Sequence, residues 1–126
     1  MKRFESKTAL VTGGNSGIGF ATARAFASEG ARVVITGRDL GSLAEARAQL
    51  GDQAIALRND AARIDEAAAL AAALSTEGVG LDAVFINAGV AKFAPFPDVD
   101  EALWNQTFDT NVKGAYFQIQ ALLPLL

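Results

Sequence analysis

The sequence contains no cysteine and no histidine. Without cysteine there can be no disulfide bond, no thiolate nucleophile and no cysteine-ligated metal. Without histidine the chain lacks the commonest metal ligand and general base. We therefore predict no metal site, and any acid–base chemistry must use tyrosine, lysine, serine, asparagine or carboxylates.

Long apolar runs are also absent. They are interrupted well before the roughly 18–20 residues needed to cross a bilayer, and residues 1–5 have no apolar signal core. The net charge is −3, and basic residues are scattered singly apart from Lys2 and Arg3, unlike the basic patch of a nucleic-acid-binding protein. These features predict a soluble, cytoplasmic protein with neither a membrane nor a nucleic-acid partner.

What the sequence does have is alternation. Short apolar or β-branched runs of about five residues alternate with alanine-rich amphipathic stretches, the pattern of βαβ units in a parallel sheet. With 51% hydrophobic residues and a mean hydropathy of +0.23, the chain can bury the core of one domain. The predicted strands are residues 8–12, 32–36, 53–58 and 82–87; the predicted helices are residues 17–29, 40–50, 64–76 and 101–109, and a last one from about residue 111 onward.

These elements predict a Rossmann-type α/β domain over residues 1–126. It is a doubly wound parallel sheet in three α/β/α layers with strand order 3-2-1-4, and its ligand crevice lies outside the carboxyl ends of strands 1 and 4. Strand 4 is apolar on both faces over residues 83–86 and is expected in the sheet interior, yet no fifth strand follows. The sequence therefore looks like part of a larger fold.

A glycine-rich segment, residues 12–19, falls where the first strand turns into the first helix. Glycine there permits positive φ and lets the backbone approach a pyrophosphate at the helix N-terminus. We expect Gly17 to admit the phosphates, Gly19 to let the helix pack on the sheet, and nearby amides to donate to the anion. The phosphate-binding candidates are Gly13, Asn15, Ser16, Gly17, Ile18 and Gly19.

The glycine-rich segment has several other interpretations besides dinucleotide binding. A P-loop is excluded because Gly19 is followed by Phe20 and Ala21 instead of lysine and serine or threonine. A tight turn without a ligand is disfavoured by the two further βα units that follow. An S-adenosylmethionine-dependent methyltransferase and a non-catalytic dinucleotide-binding or sensing module stay open at this point.

Three further motifs fall in register with the glycine loop. Asp60 follows strand 3, Asn87-Ala88-Gly89 ends strand 4, and residues 111–114 open the last helix. With Thr-Gly-x-x-x-Gly-Ile-Gly at residues 12–19, the chain closely resembles the N-terminal half of the short-chain dehydrogenase/reductase family. The resemblance implies an NAD(P)-dependent oxidoreductase acting on a small alcohol or carbonyl substrate, with strands 5 to 7 of the family missing from these residues.

The resemblance also implies roles for the motif residues. Asp60 and Ala61 would border the adenine ring, while Asn87, Ala88 and Gly89 would lie beside the adenosine ribose and support strand 1. The strand-end motif could equally be a simple strand-to-loop turn.

The family's proton chemistry uses asparagine, serine, tyrosine and lysine, and only the asparagine is matched. Asn111 would anchor a water in the proton relay and is also expected to cap the last helix. Tyr116 is followed four residues later by Gln120 instead of lysine, so we interpret it as a packing aromatic and expect these 126 residues alone to be inactive.

The end of strand 2 bears on the choice of dinucleotide. It carries Gly37, which cannot repel a phosphate, and Arg38, whose planar guanidinium matches the 2′-phosphate of NADP. Asp39 is a candidate ribose-binding acid by its spacing from the glycine loop, but it also precedes a helix as an N-cap, the role we favour. The sequence thus favours NADP over NAD, through Arg38.

The remaining aromatics receive simpler interpretations. Trp104 and Phe108 are expected to pack in the core, and Phe93 and Phe96 to close a core from the loop after strand 4. The last helix has more apolar surface than one sheet face can cover. In the resembled family this helix forms subunit contacts, so we expect a homo-oligomer, a dimer or tetramer.

Overall fold

A computed structural model describes residues 2–126. Strands and helices alternate in the order that the sequence predicts. A π-helical segment, Asp109–Gly114, joins the last two α-helices, and 3₁₀ turns occur at Phe96–Asp98 and Leu123–Leu125. The strands are β1 Thr8–Thr12, β2 Arg32–Gly37, β3 Ile55–Arg58 and β4 Ala83–Phe85; the helices are α1 Gly17–Ser28, α2 Leu40–Leu50, α3 Ile64–Thr76, α4 Glu101–Phe108 and α5 Ala115–Leu122.

The sheet has the predicted topology. All strand pairs are parallel and the order is β3-β2-β1-β4. Thr12 at the end of β1 is level with Thr36 in β2, and Val11 is level with Phe85 in β4. The loops after all four strands therefore leave the sheet at one edge, where a doubly wound fold places its ligand.

Two buried clusters, one on each face of the sheet, form the core. Successive strand residues point to opposite faces, so Leu10 and Val34 belong to one cluster, and Val11 and Ile35 to the other. The first cluster includes residues of α3 and α5, the second residues of α1 and α2. The other buried members are Leu70, Leu74, Val79, Leu81 and Leu122 in the first cluster and Ala23, Val33, Leu43 and Ala46 in the second.

The predicted bounds of β4 and of the last helix are wrong, and β3 begins at Ile55 instead of residue 53. β4 covers Ala83–Phe85 instead of residues 82–87, because the amide of Asn87 donates to the Thr12 hydroxyl and not to a strand carbonyl. The last α-helix starts after a π-helical segment and gives way to a 3₁₀ turn at Leu123 instead of continuing to the end. Pro124 lies in that turn and has no N–H for an α-helical hydrogen bond.

The predictions that the aromatics are buried are also wrong. Trp104 and Phe108 stack on each other with ring centroids 4.5 Å apart, yet are 57% and 44% exposed. Phe93 and Phe96 are almost fully exposed. Tyr116, interpreted as a packing aromatic, is 62% exposed and packs edge-on against Phe117 with ring centroids 5.1 Å apart. Trp104 and Phe108 are exposed because α4 packs on the π-helical segment and not on the sheet. Phe93 and Phe96 lie in the loop after β4, and no further strand lies beyond β4 among residues 2–126 to cover them.

The edge strand β4 is less buried than its sequence predicts. Ala83 and Val84 are half-buried and Phe85 is exposed.

None of the helices within residues 2–126 combines the length and the apolar character that crossing a membrane requires.

Candidate functional site

A cavity of about 320 Å³ opens at the carboxyl edge of the sheet. Residues that follow all four strands contribute to it, as does Thr110 from the π-helical segment. Nine residues that the sequence analysis selects line this cavity: Gly13, Asn15, Ser16, Arg38, Asp60, Ala61, Asn87, Ala88 and Gly89. The loops after β1, β2, β3 and β4 thus meet around one space, as their motifs predict.

The glycine loop forms one wall. Gly13 and Gly17 have φ of +65° and +57°, a region that side chains disfavour. A Cβ on Gly17 would meet nothing within 4 Å, so the backbone is open to an incoming group at that point. Gly17 and Ile18 begin α1, and their amides have no carbonyl acceptor within the helix. These two residues and Gly19 do not line the cavity itself but form the adjoining helix N-terminus, a backbone arrangement suited to an anion.

Close packing explains Gly19. A Cβ there would collide with the carbonyl oxygen of Gly13 and lie 2.6 Å from the Asn87 side-chain nitrogen. The sequence predicts that Gly19 lets the helix pack on the sheet; its nearest neighbours are instead the glycine loop and Asn87, so the glycine lets α1 approach the loop and the end of β4. Any larger residue would push the glycine loop away from β4.

Thr12 joins the glycine loop to the end of β4. Its fully buried hydroxyl accepts hydrogen bonds from the amides of Asn87 and Ala88, both at 2.9 Å. The Asn87 side chain in turn donates to the carbonyl of Thr12 at 3.2 Å. Asn87 thus supports strand 1, as the resemblance implies. The sequence analysis used Thr12 only as the first residue of the glycine motif and missed the role of its hydroxyl, because a strand threonine gives no sign of its partners.

The end of β2 supplies two of the three charged residues that line the cavity, Arg38 and Asp39; the third is Asp60. Arg38 is exposed and forms none of the ion pairs found within residues 2–126. Asp39 lines the cavity but its carboxylate accepts the Ser42 amide at 2.9 Å, which confirms the predicted N-cap of α2. That hydrogen bond is the main cause holding the pKa of the Asp39 carboxyl below its ordinary value.

Asn15 links the glycine loop to α2. Its side-chain nitrogen donates to the Ser42 hydroxyl at 2.7 Å, and its side chain lies directly over Gly37. A Cβ on Gly37 would come within 2.6 Å of Asn15 atoms. The absence of a side chain at Gly37 therefore shapes the cavity wall beside Arg38.

The loop after β3 is held by hydrogen bonds and by contact with the π-helical segment. The Asp60 amide donates to the Glu66 carboxylate at 2.9 Å, and the Asp60 carboxylate accepts the Ala62 amide at 3.0 Å. A Cβ on Gly114 would collide with the Ala61 carbonyl oxygen, so the π-helical segment presses against this loop. These contacts fix Asp60 and Ala61 at the rim of the cavity.

Asn111 does not cap the last helix, contrary to the prediction. It lies inside the π-helical segment, and its side chain pairs with the backbone of Val90, accepting from the amide at 2.8 Å and donating to the carbonyl at 2.7 Å. The local helix is continuous at this point, so no free helix N-terminus exists to be capped. Asn111 instead anchors the loop that follows β4 beside Gly89.

Six cavity residues lie outside the predicted set of site residues. Five of them lie at a strand end or in the loop just after it, and the sixth, Thr110, lies in the π-helical segment. Only the folded sheet brings them together. No group of three or more acidic side chains that could hold a metal ion occurs in the described part of the chain. The six are Thr36, Gly37, Asp39, Asn59, Val90 and Thr110.

Comparison with known proteins gives consistent matches. A family model described as short chain dehydrogenase matches residues 7–126. The L-rhamnose 1-dehydrogenase (NAD(P)(+)) of Azotobacter vinelandii is 44% identical over 122 residues, which cover 91% of this chain and 48% of that protein. The galactitol 2-dehydrogenase of Agrobacterium fabrum is 34% identical over 120 residues, 95% of this chain and 47% of that protein.

A solved structure agrees in fold. The RhlG/NADP active-site complex of Pseudomonas aeruginosa superimposes with a TM-score of 0.92 at 34% identity, covering all of this chain and 51% of that one. The chain spans about half the length of the curated relatives it matches.

Proposed function

The chain belongs to the short-chain dehydrogenase family, and from this premise we propose that it is the NAD(P)-binding part of an oxidoreductase that acts on an alcohol or carbonyl substrate. Residues 1–126 would form one dinucleotide-binding domain. The observation that carries the proposal is the single cavity on which the glycine loop, Arg38, Asp60 and the Asn87 motif converge.

The residues around the cavity fit a dinucleotide. The open backbone at Gly17 and the first amides of α1 suit a pyrophosphate, which needs no basic side chain there. Asp60 and Ala61 would border the adenine, and Asn87, Ala88 and Gly89 the ribose. The bound cofactor would supply hydride transfer, while the protein provides orientation and a proton donor.

We propose that NADP is preferred over NAD. Arg38 has no carboxylate partner within residues 2–126, so its guanidinium is available to a 2′-phosphate. Asp39, the acid that would instead favour a free ribose, already accepts a hydrogen bond as the cap of α2. One relative's name specifies NAD(P)(+), and one structural neighbour is named as an NADP complex. Both names are compatible with this preference.

For proton transfer, we propose that Asn111 contributes to a relay whose other members lie outside these residues. The two bonds of Asn111 to Val90 leave one N–H and one lone pair of its amide for a water. Tyr116 is exposed and followed by Gln120 at the position where the family has lysine. The 126 residues alone would therefore bind cofactor without turning over substrate.

The substrate and the assembly are proposed at the level of class. The relatives' names refer to a sugar and a polyol, so hydroxylated carbon chains are the first substrates to screen. Apolar side chains at helical spacing, Trp104, Phe108, Val112 and Tyr116, stand exposed along α4, the π-helical segment and α5. We propose that this stripe is buried in a homo-oligomer, which sedimentation analysis would detect.

Fluorescence titration with NADPH and NADH tests the cofactor proposal. Replacing Arg38 with alanine should weaken NADPH binding about tenfold or more and leave NADH binding nearly unchanged, because only NADPH carries the phosphate that the guanidinium pairs with. Arg47→Ala is the matched control, since Arg47 is exposed on α2 and does not line the cavity.

Three outcomes are informative. Equal losses for both nucleotides in Arg38→Ala would defeat the NADP assignment. Binding of neither nucleotide by the unmodified chain, with binding of S-adenosylmethionine, would replace the oxidoreductase proposal by a methyltransferase. Nucleotide binding by the full-length protein without any turnover across the substrate screen would favour a sensing module.

A further inference from the structure

Gln118 is a buried polar residue that the dinucleotide site described above does not use. It lies on α5 and is 1% exposed. Gly114, four residues earlier on the same helical face, presses against Ala61, and Leu122, four residues later, joins the core. The inner face of the π-helical segment and α5 thus presents Gly114, Gln118 and Leu122 in succession, of which the first two face the loop after β3.

A chain of hydrogen bonds leads from Gln118 to the cavity. The Gln118 side-chain nitrogen donates to the Asn59 side-chain oxygen at 2.9 Å, and the Asn59 side-chain nitrogen donates to the carbonyl of Glu66 at 2.8 Å. The backbone N–H of Asn59 also donates to the backbone carbonyl of Gly37 at 2.9 Å. Asn59 itself lines the cavity next to Asp60.

Which atoms donate and which accept in this series of hydrogen bonds is fixed by the Glu66 carbonyl. The Glu66 backbone carbonyl can only accept, so Asn59 must present its nitrogen to Glu66 and its oxygen to Gln118. Gln118 must then donate. Gln118 therefore satisfies the side-chain oxygen of Asn59, a residue that ties β2, β3 and α3 together at the cavity wall.

Packing alone does not account for an amide at this place. The Gln118 side-chain oxygen is buried and has no hydrogen-bond partner within the described residues. An unpaired buried acceptor is destabilising, and a leucine of similar volume would not introduce one at position 118. What a leucine could not do is donate to Asn59.

We propose that Gln118 is a positioning residue for the adenosine end of the cofactor site, acting through Asn59 on the loop that carries Asp60 and Ala61. This inference rests on the proposed function of the cavity. It adds a residue from outside the cavity whose role is to hold the wall in the shape that the adenosine meets.

Replacing Gln118 with leucine in the full chain tests the proposal. We expect the affinities for NADPH and NADH to fall by the same factor, about three- to tenfold, because both nucleotides share the adenosine that the Asn59 loop meets. In the full-length enzyme the KM for the cofactor should rise by that factor while kcat at saturating cofactor stays unchanged. Gln120→Leu, the same change at an exposed position of α5, is the control and should leave both affinities unaltered.

A double-variant cycle separates positioning from general packing. In an Asn59→Ala background, Gln118→Leu should have no further effect on nucleotide affinity, since the residue it acts through is gone. Gln118→Met, unbranched and similar in length, serves if the leucine variant does not fold, with the same expectation.

The possible failures are distinguishable. If the unmodified chain binds NADPH and Gln118→Leu binds it as tightly as Gln120→Leu does, the positioning role is overturned and the proposed function stands. The positioning role is also overturned if Gln118→Leu lowers nucleotide affinity in the Asn59→Ala background by as much as it does in the unmodified chain. If the unmodified chain binds neither nucleotide, the proposed function itself fails.

Discussion

Thr12 offers a sharp test of how the site is held together. Its hydroxyl accepts the amides of both Asn87 and Ala88 at 2.9 Å and is fully buried. Valine has nearly the same shape as threonine but cannot accept a hydrogen bond. Thr12→Val therefore deprives two partly buried amides of their acceptor without opening a cavity.

The size of the effect follows from that geometry. Leaving a buried donor unpaired costs about 1–3 kcal/mol, and partial access of water to these two amides reduces the sum to about 2–4 kcal/mol. Thr36→Val is the matched control. Thr36 is level with Thr12 on the neighbouring strand and almost as buried, but its hydroxyl has no hydrogen bond within residues 2–126. The control should change stability by less than about 1 kcal/mol.

The assay is urea unfolding of the full chain, followed by circular dichroism, for the unmodified protein and both variants. The free energy of unfolding should fall in Thr12→Val well beyond its fall in Thr36→Val. Equal losses in the two variants would refute the view that the Thr12 hydroxyl fixes the end of β4, since burial alone would then explain them.

Two further predictions concern the glycine loop and the cap of α2. Gly19→Ala should abolish measurable NADPH binding in the fluorescence titration, because its Cβ would collide with the Gly13 carbonyl and displace the loop from Asn87; retained affinity would show that the loop can yield. The lowered pKa of Asp39 means that its cap stabilises the fold above the ordinary carboxyl value of 3.8 and is lost as pH falls through the lower folded-state pKa. Asp39→Asn keeps the hydrogen-bond acceptor of the cap but removes its charge. In acid unfolding titrations, the free energy of unfolding of this variant should therefore depend less on pH below about 4 than that of the unmodified chain. The same pH dependence in both proteins would contradict this prediction.

Most of the fold could be predicted from the sequence because its signals are local. β1 and α3 have the bounds expected from runs of β-branched or alanine-rich residues, and the strand order follows from right-handed βαβ connections. The site motifs were also recognisable, since glycines and the Asn87 motif occur at fixed offsets from the strand ends.

The errors arise where tertiary contacts override local pattern. Asn111 precedes an apolar helix, as a cap would. The backbone of Val90, however, lies close enough to form hydrogen bonds with both the oxygen and the nitrogen of its side-chain amide. Trp104 has the spacing of a core residue on α4, but that helix packs on the π-helical segment and leaves Trp104 exposed. Neither outcome can be read from the residues within one helical turn.

The missed wall of the cavity has a more general cause. Thr36 and Asn59 carry no motif, and each becomes a cavity residue only because parallel strands in register bring successive strand ends to one edge. A rule that selects every residue at the last position of a strand or just after it would have found both, and it needs only the predicted strand bounds. The same rule would still miss Gln118, whose link to the site runs through a side chain 59 positions away. Residues of that kind are found by asking which buried polar group has a partner at the site, a question that only the folded chain answers.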